Sequence, residues 1–137
     1  VSEKMLGRHY PLQILVAEDN SLHQKIMTTM LAKLGYQADA VENGREALRA
    51  VQHRTYDLIL MDIQMPEMDG MEAAKAIREV SGERPYIIAI SAYALQESKE
   101  HCLQAGMNGF LSKPIRLPEL IEAVKCCPAP ANHAIDT

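Results

Sequence analysis

The 137-residue chain has no tryptophan, a single phenylalanine and only 4% aromatic residues, too little to stack successive bases of a nucleic acid. It also has no cluster of Lys and Arg. Fourteen basic against eighteen acidic side chains leave a net charge of −4, which argues against direct nucleic-acid binding. No stretch approaches the roughly 20 apolar residues of a membrane-spanning helix, and the first residues carry no apolar run of signal-peptide type. A soluble, cytoplasmic chain with no membrane segment is expected. Cysteine is scarce: Cys102, Cys126 and Cys127 are odd in number and lack the paired spacing of a zinc site or disulfide framework. Free thiols in a reducing compartment follow. Because the sequence begins at Val1 rather than Met, neither end is taken as a natural boundary.

The 47% of hydrophobic residues suffices for one core and not for two, so a single domain is expected. Five apolar stretches recur at 12–17, 36–41, 57–61, 86–90 and 109–111, each followed by a segment with helical character. That alternation predicts an α/β protein with a parallel sheet covered on both faces. The first, third and fourth stretches are near-continuous apolar runs, as strands buried on both sides require. The second and fifth are weaker and belong nearer an edge.

Between the strands, Leu22, Ile26, Met30 and Leu34 fall four apart with Met27 and Leu31 beside them, and Gly35 ends that helix. Asn43 with Glu46, and Asp69 with Glu72, predict capped starts for the next two helices. Ala47, Leu48 and Val51 face inward on one, and Ala73, Ala74 and Ile77 on the other, which stops at Ser81-Gly82. The fourth helix, around 95–105, has the poorest apolar stripe, with Leu95, Cys102 and Leu103 among polar residues, and should be the loosest. Pro118 opens a fifth helix carrying Leu120, Ile121 and Val124. The organisation expected is an extension or linker over 1–11, one domain over 12–126 and a flexible tail over 127–137.

In open α/β sheets ligands bind beyond the carboxyl ends of the strands. The residues there are Glu18 and Asp19 after the first strand, Asp62 after the third, Ser91 after the fourth and Lys113 after the fifth. Three carboxylates in one pocket repel one another unless a cation sits among them, and an oxygen-only ligand set suits Mg²⁺. A carboxylate attacking phosphorus needs such a metal and a fixed cation, which Lys113 can supply while the Ser91 hydroxyl donates to a phosphoryl oxygen. Each residue alone has a plain explanation. Glu18 and Asp19 could cap a helix, although Asn20 and Ser21 are better placed to do so. Ser91 could be a cap, Asp62 a turn residue and Lys113 a solvated lysine. Their coincidence at one end of one sheet favours a site.

These segments resemble the receiver domains of two-component signalling. ILVAEDN is similar to that family's first strand and acidic pair, DLILMDIQMPEMDG to its phosphoacceptor strand and loop, AISAYA to its hydroxyl-bearing fourth strand, and GFLSKP to its lysine-proline turn. The similarity runs from about Leu12 to Val124 and is closest to receivers attached to hybrid sensor kinases, a wording that free-standing receivers share. It implies a flavodoxin-like, doubly wound (βα)5 fold with strand order 2-1-3-4-5 and five flanking helices.

By the same resemblance Asp62 is the phosphoacceptor. Asp19 and Asp62 ligate Mg²⁺, for which Mn²⁺ could substitute; Glu18 assists through water, and the Gln64 backbone carbonyl completes the protein ligands. Ser91 and Lys113 contact phosphoryl oxygens, Ser91 and Phe110 form the switch pair, and the bond before Pro114 is cis. The implied partners are a histidine kinase or a histidine phosphotransfer domain, and a downstream protein on the face made by the fourth helix, fifth strand and fifth helix. The implied state is a monomer or a phosphorylation-dependent dimer. Such a chain catalyses only its own phosphorylation and dephosphorylation.

Three positions depart from the family's commonest pattern. Glu18 replaces Asp, Phe110 replaces Tyr and so loses a hydroxyl, and Gln64 lies two residues past the acceptor, beside the path of an attacking water. Other readings fit less well. A phosphatase of haloacid-dehalogenase type needs an acid where Gln64 stands, and a flavodoxin-like electron carrier needs a phosphate loop where Glu18 and Asp19 would repel it. A docking module with a vestigial pocket would not need the whole set.

Overall fold

The computed structural model describes residues 6–65, 68–92 and 96–128, with only the backbone of residues 96 and 97. Its elements run α1 (Leu6–His9), β1 (Ile14–Ala17), α2 (Ser21–Lys33), β2 (Ala38–Val41), α3 (Gly44–His53), β3 (Leu58–Asp62), α4 (Gly70–Ser81), β4 (Tyr86–Ser91), α5 (Gln96–Gln104), β5 (Gly109–Ser112) and α6 (Leu117–Cys126). The five strands form one sheet in the order β2-β1-β3-β4-β5, every pair parallel. This is the expected doubly wound order, with the two weaker strands at the edges.

Period-two alternation divides the central strands between two cores. Ile14, Val16, Leu58, Leu60, Ile88 and Ile90 point to one face, where they meet Met27, Leu31 and Leu34 of the α2 segment and Leu120 and Val124 of α6. Leu15, Ala17, Ile59, Met61, Ile87 and Ala89 point to the other, packing on Ala47, Ala73, Ala74, Ile77 and Cys102. Both sides are buried, which explains why these strands read as unbroken apolar runs.

Local chemistry sets the helix ends. Asn20 Oδ1 accepts from the His23 N–H, Asn43 Oδ1 from Glu46 and Asp69 Oδ1 from Glu72. Glu46 reaches back to the Glu42 N–H, one residue before the cap. Gly35, at φ 92°, closes α2: its N–H reaches Ala32 O and the Tyr36 N–H reaches Leu31 O. Pro118 is the second residue of α6 rather than the first, after Arg116 at the cap.

Several expectations are corrected. Leu22 and Ile26 are 64% and 47% exposed, whereas Leu34 is buried. Residues four apart advance about 40° around a helix at each step, so the row that is buried at Leu34 winds out to solvent by Leu22. Leu103 is exposed as well, leaving Cys102 as the buried member of the α5 stripe; Leu95 lies outside the described residues.

The chain ends also differ. Leu6–His9 is a helix docked on the α2 core, where the Gly7 N–H donates to Leu34 O and Leu6 packs on the cluster. Cys127 is fully buried rather than part of a tail. The Tyr10 hydroxyl donates to Cys127 O, and Tyr36 donates to Tyr10 O at 2.6 Å, tying the two ends together. Residues 129–137 lie outside the described residues.

Gly70 brings the start of α4 against the end of β3: a Cβ there would lie 2.6 Å from Asp62 O and 2.7 Å from Ile63 Cα. Both neighbours are backbone and cannot swing away. Gly70→Ala should therefore destabilise the protein by roughly 1–3 kcal/mol in chemical denaturation, despite alanine's better helix propensity. An unchanged midpoint would contradict this packing.

Candidate functional site

The carboxyl ends of β1 and β3 deliver two buried acids, Glu18 at 0% and Asp62 at 3% exposure. Asp62 is the last residue of β3, and Glu18 is held by its N–H to Val41 O at 3.0 Å. Each carboxylate accepts a hydrogen bond from the backbone N–H two residues on: Glu18 Oε2 from Asn20 at 3.1 Å and Asp62 Oδ1 from Gln64 at 2.8 Å. The second oxygen of each faces the Lys113 ammonium, with Nζ 2.9 Å from Asp62 Oδ2 and 2.9 Å from Glu18 Oε1. Exposed Asp19 completes a group of three carboxylates whose ligand oxygens lie within 4.8 Å of one another.

The other expected residues lie on β4, β5 and the turn that follows β5. Ser91 ends β4 and is 1% exposed; its carbonyl accepts from the Lys113 N–H at 2.8 Å, which fixes the start of the lysine turn. In the ladder, Asp62 pairs with Ile90, so Ser91 is one residue beyond the partner of Asp62. The Lys113–Pro114 bond is cis, as is Arg84–Pro85. Phe110 sits farther down β5, paired with Ala89, its ring 5.7 Å from Lys99 Nζ of α5 in a cation–π contact.

Two residues escape the sequence reading. His23 Nδ1 lies 3.2 Å from Lys113 Nζ and 3.9 Å from Glu18 Oε1. Gln24 Nε2 donates to both Glu18 O and Val41 O at 3.1 Å, joining the loops after β1 and β2. Side chains in a helix lean toward its N-terminus, so the first turn of a helix capped at Asn20 points back at the strand end that precedes it. That lean is the signal that could have found them.

The electrostatics favour a cation. Three carboxylates against one ammonium leave two negative charges when all are ionised. Among the described residues, buried Glu18 Oε1 meets no neutral donor: it faces the Lys113 ammonium at 2.9 Å, with His23 Nδ1 farther off at 3.9 Å. Burial pushes the Glu18 carboxyl up to about 7 against the pull of Lys113. Burial pulls Lys113 down, but Glu18 and Asp62 outweigh it and its pKa is raised. A hard divalent ion fits an oxygen-only group of this charge.

Comparison with known proteins agrees with this geometry. Residues 14–125 match the response regulator receiver domain family, and the chain belongs to that family. It is 41% identical to hybrid signal transduction histidine kinase H of Dictyostelium discoideum across 89% of its own length, and spans 9% of that relative. It resembles the receiver domain of sensor histidine kinase PA1611 of Pseudomonas aeruginosa PAO1, whose crystal structure has a magnesium ion in the active-site cleft. That match has 43% identity and a TM-score of 0.77, and covers 83% of this chain and 94% of that one. It also resembles the receiver domain of the response regulator Ssk1 of Saccharomyces cerevisiae, crystallised with the histidine phosphotransfer protein Ypd1, at 31% identity and a TM-score of 0.78, covering 85% and 88%. No helix among the described residues is long and apolar enough to cross a membrane.

Below about 7 the Glu18 carboxyl carries a proton that an entering cation has to displace. Mg²⁺ affinity measured by calorimetry should therefore weaken as pH falls from 8 to 6, by up to about tenfold per unit below the Glu18 pKa. Glu18→Gln should flatten the dependence. An affinity independent of pH in the native chain would contradict the assignment.

Proposed function

We propose that the protein is a phosphoacceptor switch in which Asp62 takes a phosphoryl group from the phosphohistidine of a histidine kinase or histidine phosphotransfer domain. The observation that carries this reading is the double hold on Asp62, with Oδ1 on the Gln64 N–H and Oδ2 against the Lys113 ammonium, beside two further carboxylates. An Asp62 oxygen attacks phosphorus and the donor's phosphorus–nitrogen bond breaks. The electron pair stays on the imidazole, which takes up a proton as it leaves. Lys113 exchanges one contact for a phosphoryl oxygen and balances its charge, while the Ser91 hydroxyl donates to another. Asp19, Asp62 and the Gln64 carbonyl, with Glu18 in support, would hold Mg²⁺ or Mn²⁺, which when bound neutralises charge on the phosphoryl oxygens. The protein acts on its own aspartate and turns over no outside substrate.

The donor approaches over α2, where Leu22 and Ile26 give an apolar landing beside the pocket. Similarity to a receiver crystallised with a phosphotransfer protein supports such a partner. When Ser91 turns toward the phosphoryl group, Phe110 follows into the space it leaves, and α5 and β5 shift. A downstream protein then reads the face formed by α5, β5 and α6, and the chain works as a monomer or as a dimer formed on phosphorylation. This takes place in the cytoplasm and involves no nucleic acid.

Incubation with acetyl phosphate and Mg²⁺, followed by intact mass spectrometry, should add one phosphoryl group to the native chain and none to Asp62→Ala. No gain in the native chain, or an equal gain in the variant, would overturn the reading.

A further inference from the structure

Lys113 has three N–H donors, and the described residues offer its Nζ three partners: Glu18 Oε1 and Asp62 Oδ2 at 2.9 Å, and His23 Nδ1 at 3.2 Å. Two are carboxylates on strand ends. The third is an imidazole from the first turn of α2, its side chain 44% exposed at the pocket mouth. Because Lys113 can only donate, Nδ1 must accept, and the ring proton then sits on Nε2, on the far side of the imidazole.

We infer that His23 is a positioning residue for Lys113: its neutral imidazole holds the ammonium over the pocket and gives up its place when a phosphoryl oxygen arrives. The inference rests on the phosphoacceptor reading of Asp62 and assigns to its reaction a residue outside the acid, hydroxyl and lysine set. The ordering of the three partners follows from charge. A hydrogen bond from an ammonium to a carboxylate is stronger than one to a neutral acceptor, so an incoming anionic oxygen displaces His23 before it displaces Glu18. Without His23, the third donor turns to water and the flexible four-carbon stem loses one of its anchors. The lysine must then be ordered during the reaction rather than before it.

His23 stands next to Leu22 and three residues before Ile26 on the face proposed to receive the donor protein, so a protein donor would confuse docking with positioning. A small donor avoids that. With acetyl phosphate and Mg²⁺, and intact mass followed in time, His23→Leu should lower the maximal phosphorylation rate roughly two- to tenfold, the worth of one hydrogen bond, with donor half-saturation unchanged. His23→Asn, which restores a neutral acceptor, should recover most of the rate. In the native chain, ring ¹⁵N resonances of His23 at a pH where it is neutral should report the Nε2–H tautomer more fully than free histidine, which already favours it, and Lys113→Met should return the ring to the free-histidine balance. A His23→Leu rate equal to native, a loss that His23→Asn does not restore, or a tautomer balance that Lys113→Met leaves unchanged would overturn the inference while leaving Asp62 as the acceptor. Failure of the native chain to take up phosphoryl would instead overturn the phosphoacceptor reading itself.

Discussion

The Lys113 ammonium between Asp62 and Glu18 is the contact on which the pocket depends. Two carboxylates this deeply buried cannot both stay ionised side by side without a compensating cation, because burial removes the water that would otherwise screen them. Lys113 meets one oxygen of each, and loop amides hold the other oxygen of each. The three strands that contribute these groups are separate in the sequence, so the charge cluster also fixes how the loops after β1, β3 and β5 stand relative to one another. The raised Glu18 pKa records what remains uncompensated.

Much of this arrangement was legible in the sequence because it follows from short-range rules. Unbroken apolar runs marked the central strands, Asn43 and Asp69 marked helix starts, and the polar residues that closed each run marked the pocket. What escaped depends on contacts between distant parts of the chain. The period of α2 shows that an apolar stripe exists but not where it winds away from the sheet, so the exposure of Leu22 and Ile26 is not readable from it. The burial of Cys127 and the docking of Leu6–His9 rest on pairings such as Tyr10 with Cys127, 117 residues apart, which no local pattern encodes. His23 was missed because its partner lies 90 residues away. Six helices rather than five flank the sheet among the described residues for the same reason.

The two faces of the sheet are filled differently. On one face α2 and α6 bring the larger Met27, Leu31, Leu120 and Val124, whereas α3 and α4 offer Ala47, Ala73 and Ala74, small residues that let the helix backbones sit close to the strands. On that second side α5 is the exception: among its described side chains only Cys102 is buried, with the Lys99–Phe110 contact as a further tie to β5. A helix with so little buried area is the one a small change at β4 or β5 displaces most easily.

The hydrogen-bonded tie between Tyr10, Tyr36 and Cys127 gives the molecule two poles. Cys127 also meets Asp57 O, just before β3 begins, so both ends of the described chain gather where the strands start, while the charged pocket opens where they finish. A strand of four or five residues separates the poles by about 13–16 Å. A fluorophore, surface anchor or fused domain joined directly to Leu6 or to Pro128 thus starts from the base of the sheet. Held at either of those residues, the molecule turns its charged pocket away from the support.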